Sequence, residues 1–244
     1  MDVSGKTILL TGGTSGIGRQ LAGQLRAKGA TVVTTGRSAE RLAEVRGAGF
    51  EAIEADFTTA AGVLAVVDAW DDRPLDILIN NAGMGRTHDF REGNVSLTDV
   101  DESIFTNFNA PIHLITHFME KLRASACAHG GAMIVNVTSG LAIAPSVAGA
   151  TYCATKAALR SYTMSLRVQM KEFGIHVLEV LPPMVDTPMT EEYDAKKMSA
   201  EQCAATIVSA MQREKNEANV GLVSALRIIN SISPKAAEKL MLKL

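Results

Sequence analysis

A doubly wound α/β fold, one parallel sheet with helices on both faces, is the architecture this sequence predicts. Three observations lead there. Short apolar runs alternate along the whole chain with stretches of helical period. A glycine-rich turn joins the first such run to the first helical stretch. At 244 residues, 47% hydrophobic and only 20% charged, the chain is long and apolar enough for one substantial core.

The elements follow in order. The apolar run 7–10 is the first strand, and Ile17, Leu21 and Leu25 then share one helical face. Val32 and Val33, after Gly29, mark a second strand, and a helix over 38–46 starts with Ser38 as N-cap. A short strand covers 52–54, a helix about 59–70, and a strongly apolar fourth strand 75–79. A long helix is expected over about 99–123, then a buried strand at 133–137, a long helix at about 152–173 and a strand at 176–181. Strands and helices alternating at this spacing call for right-handed crossovers and a Rossmann-type single domain spanning 1–244. The segment 219–244 differs. Leu222, Leu226 and Ile229 share a helical face, Lys235, Lys239 and Lys243 follow, and Pro234 divides the segment into two short helices. Such an extension either packs on the body or a partner, or lies at a membrane surface. Amphipathic helices ordinarily face a core, which favours packing.

Composition excludes several functions. A net charge of −2 and a pI of about 6.2 provide no basic surface for nucleic acid. Cys127, Cys153 and Cys203 form no CxxC pair, and their odd number suits a reducing, cytoplasmic location. Residues 1–6 have no basic region followed by an apolar run, and no stretch is apolar for long enough to span a bilayer.

The turn Thr11-Gly12-Gly13-Thr14-Ser15-Gly16-Ile17-Gly18 carries the first functional signal. Gly12 permits a tight turn, Gly16 lets a backbone approach a ligand, and Gly18 lets helix and strand pack closely. A pyrophosphate there meets free helix N–H groups and the positive end of the dipole. After the second strand the sequence reads Thr34-Thr35-Gly36-Arg37, with no acid to bind a ribose 2′-hydroxyl. A guanidinium suits a 2′-phosphate, so NADP is expected over NAD, unless Arg37 is merely solvated. Asp56 ends the third strand, where it either accepts from an adenine amino group or caps the next helix.

Tyr152 and Lys156 lie four apart on one helix and share a face, with Ser139 just after the buried strand at 133–137. Reduction of a carbonyl leaves an alkoxide that must be protonated. A free phenol has a pKa near 10, too high for easy proton shuttling, and a nearby ammonium lowers it. Ser139 can donate to the developing oxyanion. Each residue alone has an ordinary structural reading; the conjunction with the glycine turn makes the chemical one.

Together these residues resemble the short-chain dehydrogenase/reductase family. Residues 11–18 are similar to its TGxxxGxG turn, Asn80-Asn81-Ala82-Gly83 to its NNAG motif, and Ser139, Tyr152 and Lys156 to its Ser…YxxxK set, with Asn107 at the position of its catalytic Asn. The resemblance covers about 5–190. Asn136-Val137-Thr138-Ser139-Gly140-Leu141-Ala142, Thr155-Lys156-Ala157-Ala158 and Leu181-Pro182-Pro183 further resemble a bacterial DltE-like subgroup. The family implies Tyr152 as acid/base, Lys156 on the nicotinamide ribose, Ser139 on the substrate oxygen, and Asn107 holding a relay water. It implies Asn81, Ala82 and Gly83 lining the cofactor pocket, with Asp56 and Phe57 at the adenine. Pro182 would line the nicotinamide end, Val185 and Thr187 would contact the carboxamide, and Asn80 would bridge strands. Pro183 replaces the usual Gly, which removes a donor. No final strand ending in Asp-Gly-Gly is found, which weakens the expectation of a tetramer and leaves a homodimer built by the two long helices.

His113 and His117 lie four apart, but Leu114 stands where a zinc hydrolase has Glu, so no metal is expected. Cys153 is expected to be a small buried residue rather than an oxidation sensor, and Met184, Met189 and Met198 line an apolar pocket or fill core gaps. The function these readings converge on is NAD(P)-dependent hydride transfer between an alcohol and a carbonyl on a small, apolar molecule. The alternatives are a non-catalytic nucleotide sensor or scaffold on the same fold, or an epimerisation or dehydration.

Overall fold

The computed structural model describes residues 1–93 and 95–242, so Lys243 lies outside the described residues. The elements are β1 (Thr7–Leu10), α1 (Gly16–Ala27), β2 (Thr31–Gly36), α2 (Ala39–Gly47), β3 (Glu51–Glu54), α3 (Ala60–Trp70), β4 (Ile77–Asn80), α4 (Leu97–Ile104), α5 (Ala110–His129), β5 (Ala132–Val137), α6 (Ala150–Met170), β6 (Ile175–Leu181), β7 (Val185–Asp186), β8 (Met198–Ser199), α7 (Ala200–Gln212), β9 (Glu217–Asn219), α8 (Val223–Ile232) and α9 (Pro234–Met241). Seven parallel strands form one sheet in the order β3-β2-β1-β4-β5-β6-β9. The order reverses between β1 and β4, and a crevice opens there beyond the carboxyl ends of the strands.

Alternating side chains of the strands supply two cores. Ile8, Leu10, Ile77 and Ile79 face one layer, where they meet Leu21 and Leu25 of α1 and Ile207 and Met211 of α7. Leu9, Leu78 and Ile134 face the other, against Trp70 of α3 and Leu114 and Phe118 of α5. The Trp70 and Phe118 rings meet edge-on with centroids 5.6 Å apart. Strands covered on both faces read as continuous apolar runs, which is why the sequence located them.

Several expectations need correction. The helix over 99–123 is three pieces: α4, a five-residue π-helical turn over Phe105–Asn109, and α5. Pro111 lacks an N–H, so the carbonyl of Asn107 loses its α-helical donor and the ladder is interrupted. Helix α7 and the short pair β7–β8 were not anticipated. The position of a last sheet strand is filled by β9, three residues paired to β6 through Glu179↔Glu217 to Leu181↔Asn219. Its sequence, Glu-Ala-Asn, has no β-branched or aromatic residue and so gives no strand signal.

The tail forms two helices split at Pro234, with Ser233 capping the second by accepting from the Ala236 N–H at 3.3 Å. Leu226 and Ala237 are buried against Ala144, with Ile143, Ile229 and Met241 around them. Leu222, expected on the packed face, is instead 80% exposed because it precedes the helix as its cap. Among the described residues no helix is long and apolar enough to cross a membrane.

Candidate active site

A cleft of ≈ 490 Å³ opens at the carboxyl ends of the central strands. Its floor is the turn between β1 and α1. Gly12 and Gly16 have φ of +69° and +51°, which L side chains rarely adopt. A Cβ on Gly12 would come within 2.9 Å of Ala82 Cα, and one on Gly16 within 2.8 Å of Thr187 Cγ2. Asn81 locks this turn. Its Nδ2 donates to the carbonyls of Thr11 at 2.9 Å and Gly12 at 3.2 Å. The Thr11 hydroxyl accepts from the N–H groups of Asn81 and Ala82, both at 3.0 Å. Ser15 precedes α1 without a side-chain capping bond, and no acid lies in the first turn. The amide donors there are left for an anion, and the dipole favours one. The residues therefore fit a dinucleotide pyrophosphate.

Along the cleft from this turn lie Thr14, Ser15, Ile17, Gly18 and Arg37 on one side and Asp56 and Phe57 on the other. Arg41, one turn into α2, also lines it. The sequence reading missed Arg41, although its place four residues after Arg37 was the available signal. Neither arginine is in an ion pair with another described residue. Asp56 does not cap α3: Thr59 is the N-cap, and Asp56 Oδ1 accepts only from the Thr58 N–H at 3.1 Å.

At the other end the cleft is lined by Asn81, Ala82, Gly83, Ser139, Tyr152, Lys156, Pro182, Pro183, Val185 and Thr187. Every residue anticipated for cofactor contact lies on this one cleft, as do Ser139, Tyr152 and Lys156. Lys156 is buried, and its Nζ donates to the Val137 carbonyl at 2.9 Å and sits 5.7 Å from the Tyr152 ring centroid. Burial pulls its pKa down to about 8. Burial also pushes the Tyr152 phenol up to about 12, against a hydrogen bond with Ser139 that acts the other way. The expected lowering of the tyrosine by the ammonium is thus not what this geometry produces: desolvation dominates, and Tyr152 is a protonated phenol at neutral pH. Ser139 Oγ accepts from the Leu141 N–H at 3.1 Å, which leaves its own O–H free to donate.

Asn107 is the exception, since it does not line the cleft. Fully buried in the π-helical turn, its side chain closes on the backbone of Met84, accepting from N–H and donating to C=O at 2.8 Å each. A Cβ on Gly83 would lie 3.3 Å from Asn107 Oδ1 and 3.5 Å from Lys156 Nζ, so the two flank that glycine. These two bonds fix the amide in place and leave it one N–H and one oxygen lone pair. Asn80 bridges strands: its Nδ2 donates to Asn136 Oδ1 at 2.8 Å, and Asn136 Nδ2 donates to Thr163 of α6 at 2.9 Å. Met189 reaches the cleft, whereas Met184 is exposed and Met198 packs on the core. His113 stacks edge-on against Phe105 with centroids 5.3 Å apart.

Behind the site runs an ionic network that sequence reading did not find. Glu179 of β6 is fully buried and accepts from Thr138 Oγ1 at 2.8 Å and Arg160 Nη1 of α6 at 2.7 Å. Arg160 Nη2 and Arg227 of α8 each reach Glu217 of β9 at 3.3 Å. The network ties the helix bearing Tyr152 and Lys156 to the strand end bearing Ser139 and to the C-terminal helices.

The sequence matches the model of the short chain dehydrogenase family over residues 6–198. It is 35% identical over 237 residues to the "uncharacterized oxidoreductase DltE" of Bacillus subtilis, covering 93% of this chain and 92% of that protein. Among solved structures, a short chain dehydrogenase from Burkholderia cenocepacia in complex with NADP superposes with a TM-score of 0.87 at 24% identity, covering 99% of both chains. A second NADP complex of a short chain dehydrogenase from that organism has a TM-score of 0.74 at 31% identity, covering 86% of this chain and 91% of that one.

Proposed function

Since the chain belongs to the short-chain dehydrogenase family, among oxidoreductases similar to DltE, we propose that it is an NADP(H)-dependent reductase of a small, apolar carbonyl compound, with Tyr152 as its acid/base. The observation that carries this is the convergence of Ser139, Tyr152 and Lys156 on the same cleft as the glycine turn. When bound there, the reduced dinucleotide supplies the hydride.

The chain's own residues do the rest. The free amides at the start of α1 hold the pyrophosphate. Arg37 and Arg41, with no acid at the end of β2, hold a 2′-phosphate. A 31%-identical structural relative is itself an NADP complex, which supports this preference. Asp56 and Phe57 flank the adenine, Asn81, Ala82 and Gly83 the middle of the cofactor, and Pro182, Val185 and Thr187 the nicotinamide end. Lys156 meets the ribose hydroxyls. Ser139 Oγ donates to the substrate oxygen, and the phenol of Tyr152 gives that oxygen its proton as the alkoxide develops. Lys156, with the Asn107 side chain across Gly83 from it, leads a replacement proton to Tyr152. The chain is a single unit over 1–244 with 219–244 packed on it, and it works in the cytoplasm as a homodimer.

The test is oxidation of NADPH in the presence of a panel of aromatic and aliphatic ketones and aldehydes. Turnover is expected for wild type and a loss of about 10²–10⁴-fold for Tyr152→Phe, with NADPH binding kept. Cofactor binding without turnover of any compound, unchanged by Tyr152→Phe, would favour a nucleotide sensor instead.

A further inference from the structure

The C-terminal helix pair has a second face that the body does not cover. Val223 and Leu226 of α8 are buried, whereas Ile228 and Ile232, a turn apart on the opposite side, are 60% and 80% exposed. Leu222 at the start of α8 and Leu240 in α9 are exposed as well. A helix apolar on its inner and outer faces is normally enclosed on both, so the outer stripe of α8 is built for contact with something else.

Charge distinguishes what that is. The whole chain has 24 Lys and Arg against 26 Asp and Glu, but residues 219–244 have four against one. Arg227 is committed to Glu217, while Lys235 and Lys239 of α9 are exposed and pair with no acid among the described residues. A second copy packed two-fold on this face would bring the same excess of positive charge to the contact, since such an interface uses one patch twice. A surface that is apolar in depth and anionic on top meets both features.

We propose that α8 and α9 form a peripheral docking surface for an anionic lipid bilayer, with Ile228 and Ile232 entering the acyl boundary and Lys235 and Lys239 meeting the headgroups. Docking there holds the body at the membrane without crossing it.

The experiment is co-sedimentation of the full chain with vesicles of phosphatidylcholine alone, or of equal parts phosphatidylcholine and phosphatidylglycerol. It compares wild type with Ile228→Ser/Ile232→Ser and Lys235→Gln/Lys239→Gln. These side chains are exposed, and unchanged circular dichroism and NADPH binding check that the variants fold. Wild type is expected on the mixed vesicles only and is released by salt. Removing both lysines weakens partitioning by about thirtyfold, and the isoleucine variant stays in solution. No sedimentation with either vesicle overturns the proposal, as does equal binding to both. So does an isoleucine variant that binds vesicles like wild type but shifts to a smaller species on size exclusion, which would make the stripe a contact between copies.

Discussion

Replacing Arg160 should be far more damaging than replacing its buried partner. In Arg160→Met, Glu179 keeps only the Thr138 hydroxyl at 2.8 Å, and its carboxylate is fully enclosed. An uncompensated buried charge of this kind costs about 3–5 kcal/mol. In Glu179→Gln, by contrast, the amide oxygen still accepts from Thr138, and Arg160 keeps Glu217 at 3.3 Å. The loss is then one charge-assisted hydrogen bond, about 1–3 kcal/mol. Adding Glu179→Gln to Arg160→Met removes the stranded charge and should recover part of the loss. The pH dependence has a defined sign. Burial, the largest effect, raises the Glu179 pKa above its ordinary value, with Arg160 opposing it. A raised carboxyl contributes stability that is present below its unfolded pKa and lost as pH rises through the folded one. Without Arg160 the rise is larger, so acidification from neutrality should narrow the gap between Arg160→Met and wild type. Urea unfolding followed by circular dichroism, with m unchanged, measures all of this. Equal costs for the two single variants, or a double variant worse than their sum, would refute the reasoning.

Three further outcomes are expected. A methyl at Gly18 would overlap the Gly12 carbonyl and lie 2.6 Å from Asn81 Nδ2; Gly18→Ala should abolish NADPH binding in a fluorescence titration, and retained affinity would mean the turn is not the phosphate site. Reduction should fall as pH rises through about 8, where Lys156 loses its proton, and a flat kcat/KM profile through that region would contradict its role. The same lowered lysine makes stability rise with pH from about 8 towards its unfolded value, because there the unfolded chain binds the extra proton; Lys156→Met should lose that rise in urea unfolding.

The six longer strands and the helices between them were legible because each is apolar on a period its secondary structure imposes. Strands buried on both faces leave little ambiguity, as in Ile-Leu-Ile of β4. The glycine turn was legible because backbone conformation and close approach demand glycine there. Elements held mainly by tertiary context were not. β9 exists because β6 offers it an edge, not because Glu-Ala-Asn prefers a strand. The break before α5 follows from Pro111, a residue also tolerated in the first turn of a helix, so it read as no break at all. The Glu179 network joins residues 138, 160, 179, 217 and 227, and no local pattern links positions so far apart. The direction of the Tyr152 shift was missed for a related reason: sequence shows the nearby lysine, but the extent of burial belongs to the fold.

The central claim, a nicotinamide site with a phosphate-binding end, is tested most directly by titrating the purified chain with NADPH and with NADH, for wild type, Arg37→Ala and Arg41→Ala. The account predicts that NADPH binds more tightly than NADH, and that each substitution weakens NADPH by about tenfold or more while leaving NADH unchanged. Binding of neither dinucleotide would contradict it.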